Sequence, residues 1–168
     1  MAGAREVASY GAKWVSDEAA FRRTIVHPVL VWAAPPATKE EPLLFATRPG
    51  DRIKRPAPGQ AVFYAVSKSA KNAFADEVTV GRTANNDITI EDNSVSRFHA
   101  YLAPDKKGVW SLVDAKSTMG TFLSGKKLKP KTPVPIASGT TFKVGEVEVQ
   151  FLDVDGFWKF LQGLLKGR

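Results

Sequence analysis

Arg82, Ser96, Arg97 and Thr118 are the residues of this sequence whose types and setting suit one task, the holding of an oxyanion. Gly81-Arg82 follows the short apolar run 78–80 and puts a guanidinium at a loop rim. Ser96-Arg97 stands just ahead of the run 98–102, with Ser94 two residues earlier. Ser117-Thr118-Met119-Gly120 separates two further β-like runs. A phosphate dianion asks for planar multidentate donors, hydroxyls and free backbone amides, with no carboxylate in competition. Each pair is common by itself; the order and spacing of the three make the signal.

Residues so far apart meet only if short strands deliver their loops to one end of a sandwich. From about residue 60 the sequence supplies such strands. Candidate runs cover 61–66, 78–80, 88–90, 98–102 and 109–113, and hairpins are expected around Ser124-Gly125 and Gly145-Glu146. In 147–151 apolar and polar residues alternate, which predicts one buried and one wet face. The expected fold class is all-β, a sandwich of short antiparallel strands with a short N-terminal helix and a C-terminal helix. The N-terminal helix is read over 16–23, capped by Ser16 or Asp17. The C-terminal helix follows from apolar residues at 157, 160, 161, 164 and 165, with Asp155 as its expected cap. It is expected to dock on the sandwich through Phe157, Phe160, Leu161 and Leu164. The expected division is an N-terminal helix and Pro-rich extension over 1–60, the sandwich over 61–153, and the amphipathic helix over 154–168.

The rest of the composition excludes more than it asserts. The chain has 168 residues, no cysteine and two histidines, His27 and His99, far apart in sequence. Disulfides and Cys-ligated metals are out, and no metal or cofactor is expected. There is no G-x-S-x-G elbow, no phosphate-binding P-loop, no His-Glu metal motif and no acid–base pair around either histidine, so an enzyme is not expected. The net charge of +7 is spread along the chain, with local clusters at Arg48, Arg52, Lys54, Arg55 and at Lys126, Lys127, Lys129, Lys131. No basic helical stripe or stacking-aromatic pattern accompanies them, so nucleic acid is not the expected partner. The longest apolar stretch, 24–34, is broken by Pro28 and is too short to span a bilayer, and no signal-peptide core precedes it. A cytoplasmic protein without membrane association is expected. Six of the eleven prolines lie in 33–60, which rules out regular helix or central strand there. Leu43-Leu44-Phe45 could pin part of this arm to a core. Thr38, ahead of Lys39-Glu40-Glu41, is a residue whose phosphorylation would let the arm enter the chain's own pocket.

The ordered blocks Gly81-Arg82, Asn86-Asp87-Ile88, Val95-Ser96-Arg97-Phe98-His99-Ala100, Asp114 with Ser117-Thr118, and Gly120-Thr121-Phe122-Leu123-Ser124-Gly125 resemble the forkhead-associated (FHA) domain, a phosphothreonine-peptide-binding β-sandwich. The resemblance covers about 61–153. It implies that Arg82 and Ser96 hold the phosphate, that Thr118 adds a contact, and that Arg97 meets phosphate or peptide in the same loop. It also implies that Ser94 tunes selectivity C-terminal to the phosphothreonine. Gly81 and Gly120 would shape the turns, and His99 would brace the loops from beneath. The implied function is an adaptor in Ser/Thr kinase signalling, its partner a Thr-phosphorylated protein or peptide. One position departs from the pattern. The family's asparagine before the third-loop glycine, which grips the peptide backbone, is Met119 here. Methionine offers no comparable hydrogen bonds, so the grip is expected to be weakened. The alternative is a phospho-independent scaffold built on the same sandwich.

Overall fold

The computed structural model describes residues 5–33, 56 and 60–166. Most of the Pro-rich arm, with Thr38 and Leu43-Leu44-Phe45, lies outside the described residues.

Two helices open the described chain: α1 (Val7–Val15) and α2 (Glu18–Thr24), after a two-residue strand β1 (Arg5–Glu6). Asp17 caps α2 by accepting from the Ala20 amide at 2.9 Å, Glu18 sits in the first turn, and Arg22 and Arg23 sit in the last. This is the charge order the helix dipole favours. Helix α1 was not expected. Its buried positions Val7, Gly11 and Trp14 share one face, but the middle one is a glycine and carries no hydrophobic signal.

The strands that follow are β2 (Val29–Ala33), β3 (Ala61–Ala65), β4 (Val78–Gly81), β5 (Ile88–Thr89), β6 (Ala100–Pro104) and β7 (Trp110–Asp114). They continue as β8 (Thr121–Leu123), β9 (Lys126–Lys127), β10 (Val134–Ile136), β11 (Thr141–Val144) and β12 (Val147–Leu152), before α3 (Val154–Lys166). They form a seven-stranded sheet in the order β1-β3-β2-β12-β11-β8-β9 and a five-stranded sheet in the order β10-β7-β6-β4-β5. The inner faces pack Leu30, Tyr64, Val80, Leu102, Leu112, Phe142 and Val149 into one core. The fold is the expected all-β sandwich with terminal helices.

Four details differ from expectation. Strand β2 lies N-terminal to the boundary expected at residue 60, yet it is an inner strand of the larger sheet, between β3 and β12. Its residues are buried on both faces, Leu30 and Trp32 inward, Val29 and Val31 outward, which is why 29–32 reads as an unbroken apolar run. The β4–β5 ladder is parallel, because the connection between these strands turns back on itself instead of forming a hairpin; every other ladder is antiparallel. Strand β10 was not expected, because Pro133 and Pro135 flank and interrupt it. As an edge strand on β7 it tolerates the missing donor. Finally, the cap of α3 is Asp153, not Asp155: Asp153 Oδ1 accepts from the Gly156 amide at 2.7 Å. Asp155 instead accepts from Arg22 Nη1 at 2.8 Å, an exposed link between α2 and α3.

Helix α3 docks on the chain itself. Phe157, Trp158 and Leu161 join Val7, Trp14, Phe21, Val29, Val31, Phe63 and Leu152 in a second core on the outer face of the larger sheet. Phe160 packs at its margin, but Leu164 is 44% exposed. Trp158 takes the place expected for Leu164, because α2 brings Phe21 to within 4.9 Å of the indole centroid and so rotates the buried face toward residue 158. No helix among the described residues is long and apolar enough to cross a membrane.

Candidate anion-binding site

The loops after β4, before β6 and between β7 and β8 are joined at one end of the sandwich by hydrogen bonds that cross between them. The Arg82 amide donates to the Ser96 carbonyl at 2.9 Å, and the Thr118 amide donates to Ser96 Oγ at 3.0 Å. Ser96 thus stands between Arg82 and Thr118, with its hydroxyl proton left to donate. The Arg82 and Arg97 side chains are exposed, and neither forms an ion pair among the described residues. Among the described residues the one side-chain bond of Arg82 is a long 3.4 Å contact from Nη1 to Asn93 Oδ1. Thr118 is exposed beside them. The rim therefore offers an unpaired guanidinium and two hydroxyls within one joined set of loops, with a second free guanidinium at Arg97. This arrangement can take several oxygens of one anion.

Beneath the rim, His99 is fully buried. Its Nδ1 accepts from the Ser96 amide at 2.9 Å, so the ring proton resides on Nε2, which donates to the Gly120 carbonyl at 3.0 Å. One neutral imidazole thereby fixes two loops. Burial pushes its pKa down; the Gly120 bond and the charge of Asp114 oppose this without overcoming it. A histidine with a depressed folded pKa favours unfolding in acid, because the unfolded chain takes the proton first. Stability should therefore begin to fall as the pH drops below the ordinary histidine value of 6.5. His99→Ala should orphan the Ser96 amide at about 1–3 kcal/mol and take one of two donors from the Gly120 carbonyl, which keeps the Gly145 amide. Thermal melts between pH 5 and 7 check both points: the variant melts lower at pH 7 and loses this part of the acid sensitivity. Unchanged melting with lost ligand binding would make His99 a ligand contact instead.

Two buried carboxylates organise the flanking turns. Asp114 accepts from the Lys116 and Ser117 amides at 3.0 and 3.2 Å, and from the Ser117 and Thr121 hydroxyls at 2.6 Å each. Ser117 Oγ in turn accepts from the Gly120 amide. Asp87 accepts from the Ser69 amide and hydroxyl, from the Thr79 amide and hydroxyl, and from Lys68 at 2.9 Å. Burial alone would raise the pKa of Asp87. Its bonds from Ser69, Thr79 and Lys68 outweigh burial and hold the carboxyl well below the usual range. Asn86, also buried, donates to the Thr83 and Arg97 carbonyls at 2.8 and 2.6 Å and so ties the first loop to the second. The Asn86-Asp87 pair and Asp114 stand in the blocks quoted above but were not singled out as site residues. Their signal was a short polar side chain beside a strand end, the pattern of a side chain that closes a turn.

The glycines have specific reasons to be there. A Cβ on Gly81 would collide with the Arg97 carbonyl. Gly120 has φ +98°, and a Cβ on it would strike the side chain of Lys127, which lies across the turn. Ser94 is committed internally: its hydroxyl donates to Asp92 at 2.7 Å and accepts from the Glu146 amide at 2.9 Å, tying the second loop to the β11–β12 hairpin. Met119 is 46% exposed at the tip of the third loop. The structure thus brings Arg82, Ser96 and Thr118 together. It places Arg97, Met119 and Ser94 around them and Gly81, His99 and Gly120 beneath. Among the described residues no group of three His, Asp or Glu side chains could hold a metal ion.

Comparison with known proteins agrees with this picture. Residues 78–145 match the model of the FHA domain. An FHA domain-containing protein of Arabidopsis thaliana is 32% identical over 95 residues, 56% of this chain and 22% of its own length. A homologue of a protein phosphatase 1 regulatory inhibitor subunit, also from Arabidopsis thaliana, is 35% identical over 57 residues, 34% of this chain and 15% of its own. The chain therefore spans less than a quarter of the length of these curated relatives. Among solved structures, the N-terminal FHA domain of Rad53p from S. cerevisiae in complex with a phosphothreonine peptide is 21% identical, covering 58% of this chain and 89% of that one, with a TM-score of 0.47. Residues 78–145, which carry the joined loops, His99 and the exposed Arg82, match the FHA domain and resemble that family.

Proposed function

We propose that this chain is a phosphothreonine-dependent interaction module, a cytoplasmic adaptor in Ser/Thr kinase signalling whose partner is a Thr-phosphorylated protein or peptide. In this reading Arg82 and Ser96 hold the phosphate, Thr118 adds a hydroxyl, and Arg97 and Met119 meet the flanking peptide. The functional unit is the sandwich over 61–153, completed by β2. The observation that carries the reading is the pair of bonds onto Ser96, from the Arg82 and Thr118 amides, beside guanidinium groups that pair with no carboxylate among the described residues. A binding module without a catalytic step accounts for these residues in full.

The test is a titration of the full chain with a phosphothreonine peptide, its unphosphorylated twin, its phosphoserine twin and duplex DNA at two salt concentrations. Binding should require the phosphate and favour the phosphothreonine peptide. Binding that is indifferent to phosphate would favour the phospho-independent scaffold, the reading that Met119 supports. DNA binding that falls steeply with salt would instead assign the basic loops to nucleic acid.

Met119→Asn should strengthen binding to phosphothreonine peptides with small flanking side chains. An amide at this exposed loop tip can both donate to and accept from peptide backbone, whereas a thioether offers dispersion and a weak acceptor. One or two such hydrogen bonds at ~0.5–1.5 kcal/mol each correspond to a gain of a few-fold to tenfold. Calorimetric titration of both forms with one alanine-flanked peptide checks it.

A further inference from the structure

The three helices pack on the outer face of the larger sheet. The outer face of the smaller sheet carries a different cover, a stack of three aromatic rings. Thr79 of β4 and Tyr101 of β6 are cross-strand partners on that face, since their neighbours Val80, Ala100 and Leu102 point into the core. The loop ahead of β4 is pinned over them by Asn72, which donates to Thr79 Oγ1 at 3.0 Å. This loop lays Phe74 on Phe98, with ring centroids 5.4 Å apart and planes at 27°. Phe98 in turn stacks on Tyr101, at 6.4 Å and 22°. Phe74 is the outermost ring and is 45% exposed. Positions 74, 98 and 101 are too unevenly spaced for the stack to show as a pattern in the sequence.

Cations border the stack at its Phe98 end. Arg97 directly precedes Phe98. The Ala115 amide donates to the His99 carbonyl at 2.9 Å, which sets Lys116 beside the start of β6. The Lys116 amide donates to Asp114 Oδ2 at 3.0 Å and the Lys131 amide to the Asp114 carbonyl at 2.8 Å, so one residue brings both lysines together. Both lysines hold a positive φ, 63° and 58°, which a side chain with a Cβ adopts only under constraint. The Asp114 carboxylate is buried and taken up by the Ser117 and Thr121 hydroxyls, so it neutralises neither ammonium. From 115 to 145 the chain has six lysines and no Asp or Glu. Arg97, Lys116 and Lys131 are exposed and form no ion pair among the described residues. Glu77, two residues before Thr79 and so at the other end of the face, marks the limit of this basic zone: burial and then its charge push the pKa of Tyr101 up.

Unpaired cations by themselves attract any polyanion. The open ring narrows the choice. The face of a phenyl ring is electron-rich and offers nothing to a carboxylate or a lipid headgroup, whereas every nucleic-acid base has a π-face to lay on it. A duplex keeps its bases stacked on one another, so the ring serves a strand whose bases are free. We propose that the outer face of the smaller sheet binds single-stranded nucleic acid, with a base stacked on Phe74 and neighbouring backbone phosphates on Arg97, Lys116 and Lys131. Arg82, Ser96 and Thr118 take no part, so this site stands independently of the phosphothreonine-binding reading.

The test is fluorescence anisotropy of the full chain with a labelled oligothymidylate of about 12 nucleotides, a duplex of the same length and polyglutamate, between roughly 50 and 200 mM salt. The single strand should bind more tightly than the duplex. The logarithm of its affinity should fall with that of the salt concentration at a slope near −2, about 0.7 for each of three phosphate contacts. Phe74→Leu keeps an apolar side chain at an exposed position. It should weaken binding roughly fivefold to a hundredfold, the loss of one stacked base, and leave the salt slope unchanged, while Phe74→Tyr retains the affinity. The double variant Lys116→Asn/Lys131→Asn, with a residue that accepts positive φ, should make the slope shallower by about 1.4. Thermal melts should show all these variants folded as the unmodified chain is. Absence of single-strand binding overturns the proposal. So does equal binding of strand, duplex and polyglutamate, which is attraction by charge without a site. Binding that Arg82→Ala removes and Phe74→Leu leaves intact overturns it as well, by placing the strand at the rim.

Discussion

Arg82→Ala should lower affinity for a phosphothreonine peptide by a factor of roughly 100 or more while leaving the melting temperature nearly unchanged. The two halves of this expectation have separate causes. On the folding side, the Arg82 side chain is exposed and its only bond among the described residues is the 3.4 Å contact to Asn93, so its removal orphans no buried group there. The loop is held by the Arg82 backbone amide on Ser96, by Asn86 on the Arg97 carbonyl and by His99, and alanine disturbs none of these. On the binding side, a guanidinium on a phosphate dianion makes two charge-assisted hydrogen bonds of about 1.5–3 kcal/mol each, and that sum corresponds to about 10²–10⁴ in affinity. Arg82→Lys keeps the charge but loses the planar fork, so it should restore only part of the affinity and should show a steeper salt dependence. Calorimetry on the three proteins with one peptide decides the matter. Equal affinity in the alanine variant would remove Arg82 from the phosphate site and leave Arg97 as the exposed guanidinium of the rim.

What could be read ahead of the structure divides along physical lines. The placement of the rim residues was legible because Arg82, Ser96 and Thr118 each stand next to a turn between strand-like runs. His99 was legible as a support because it opens an apolar strand, where a histidine's polar atoms need partners; its bonds to the Ser96 amide and the Gly120 carbonyl supply them. Alternation predicted β12 correctly for its inner face, yet its outer face is wet only at Glu148 and is covered at Leu152. That cover comes from helices distant in sequence, which no local period reports. The same helices explain the continuous burial of β2 and the exchange of Leu164 for Trp158. Helix α1 was illegible because its contact face runs through Gly11, and β10 because proline at an edge resembles proline in a loop. The role of Ser94 could not be read at all: whether a serine hydroxyl faces a ligand or the next loop depends on where the β11–β12 hairpin lies, 52 residues away.

Phe157→Ala should be the most destabilising single change in α3, at about 3–5 kcal/mol. The ring is fully buried between the sheet and both N-terminal helices, with its centroid 5.0 Å from that of Phe63 and 6.0 Å from that of Phe21. Trp14 packs edge-on against Phe21 and Phe63 in the same cluster, so the cavity would open at the centre of an aromatic group that joins three helices to β3. Such a cavity collapses poorly, because each neighbour is itself held by the others. At about 2–4 °C per kcal/mol for a chain of this size, the melting temperature should drop by roughly 6–20 °C. Leu164→Ala, at an exposed position of the same helix, should change it by no more than a degree or two. The pair also tests how the outer helical layer relates to the site. The binding rim is held by Asn86, His99, Asp114 and Ser94, none of which touches this second core. Phosphopeptide affinity of Phe157→Ala, measured well below its melting point, should therefore match that of the unmodified chain. Equal melting of the two variants would mean that α3 leaves the sheet in solution and binds elsewhere. Affinity that falls in step with stability would mean instead that the helical layer sets the position of β12, and through the Gly145–Glu146 hairpin, that of the loop carrying Ser94 and Ser96.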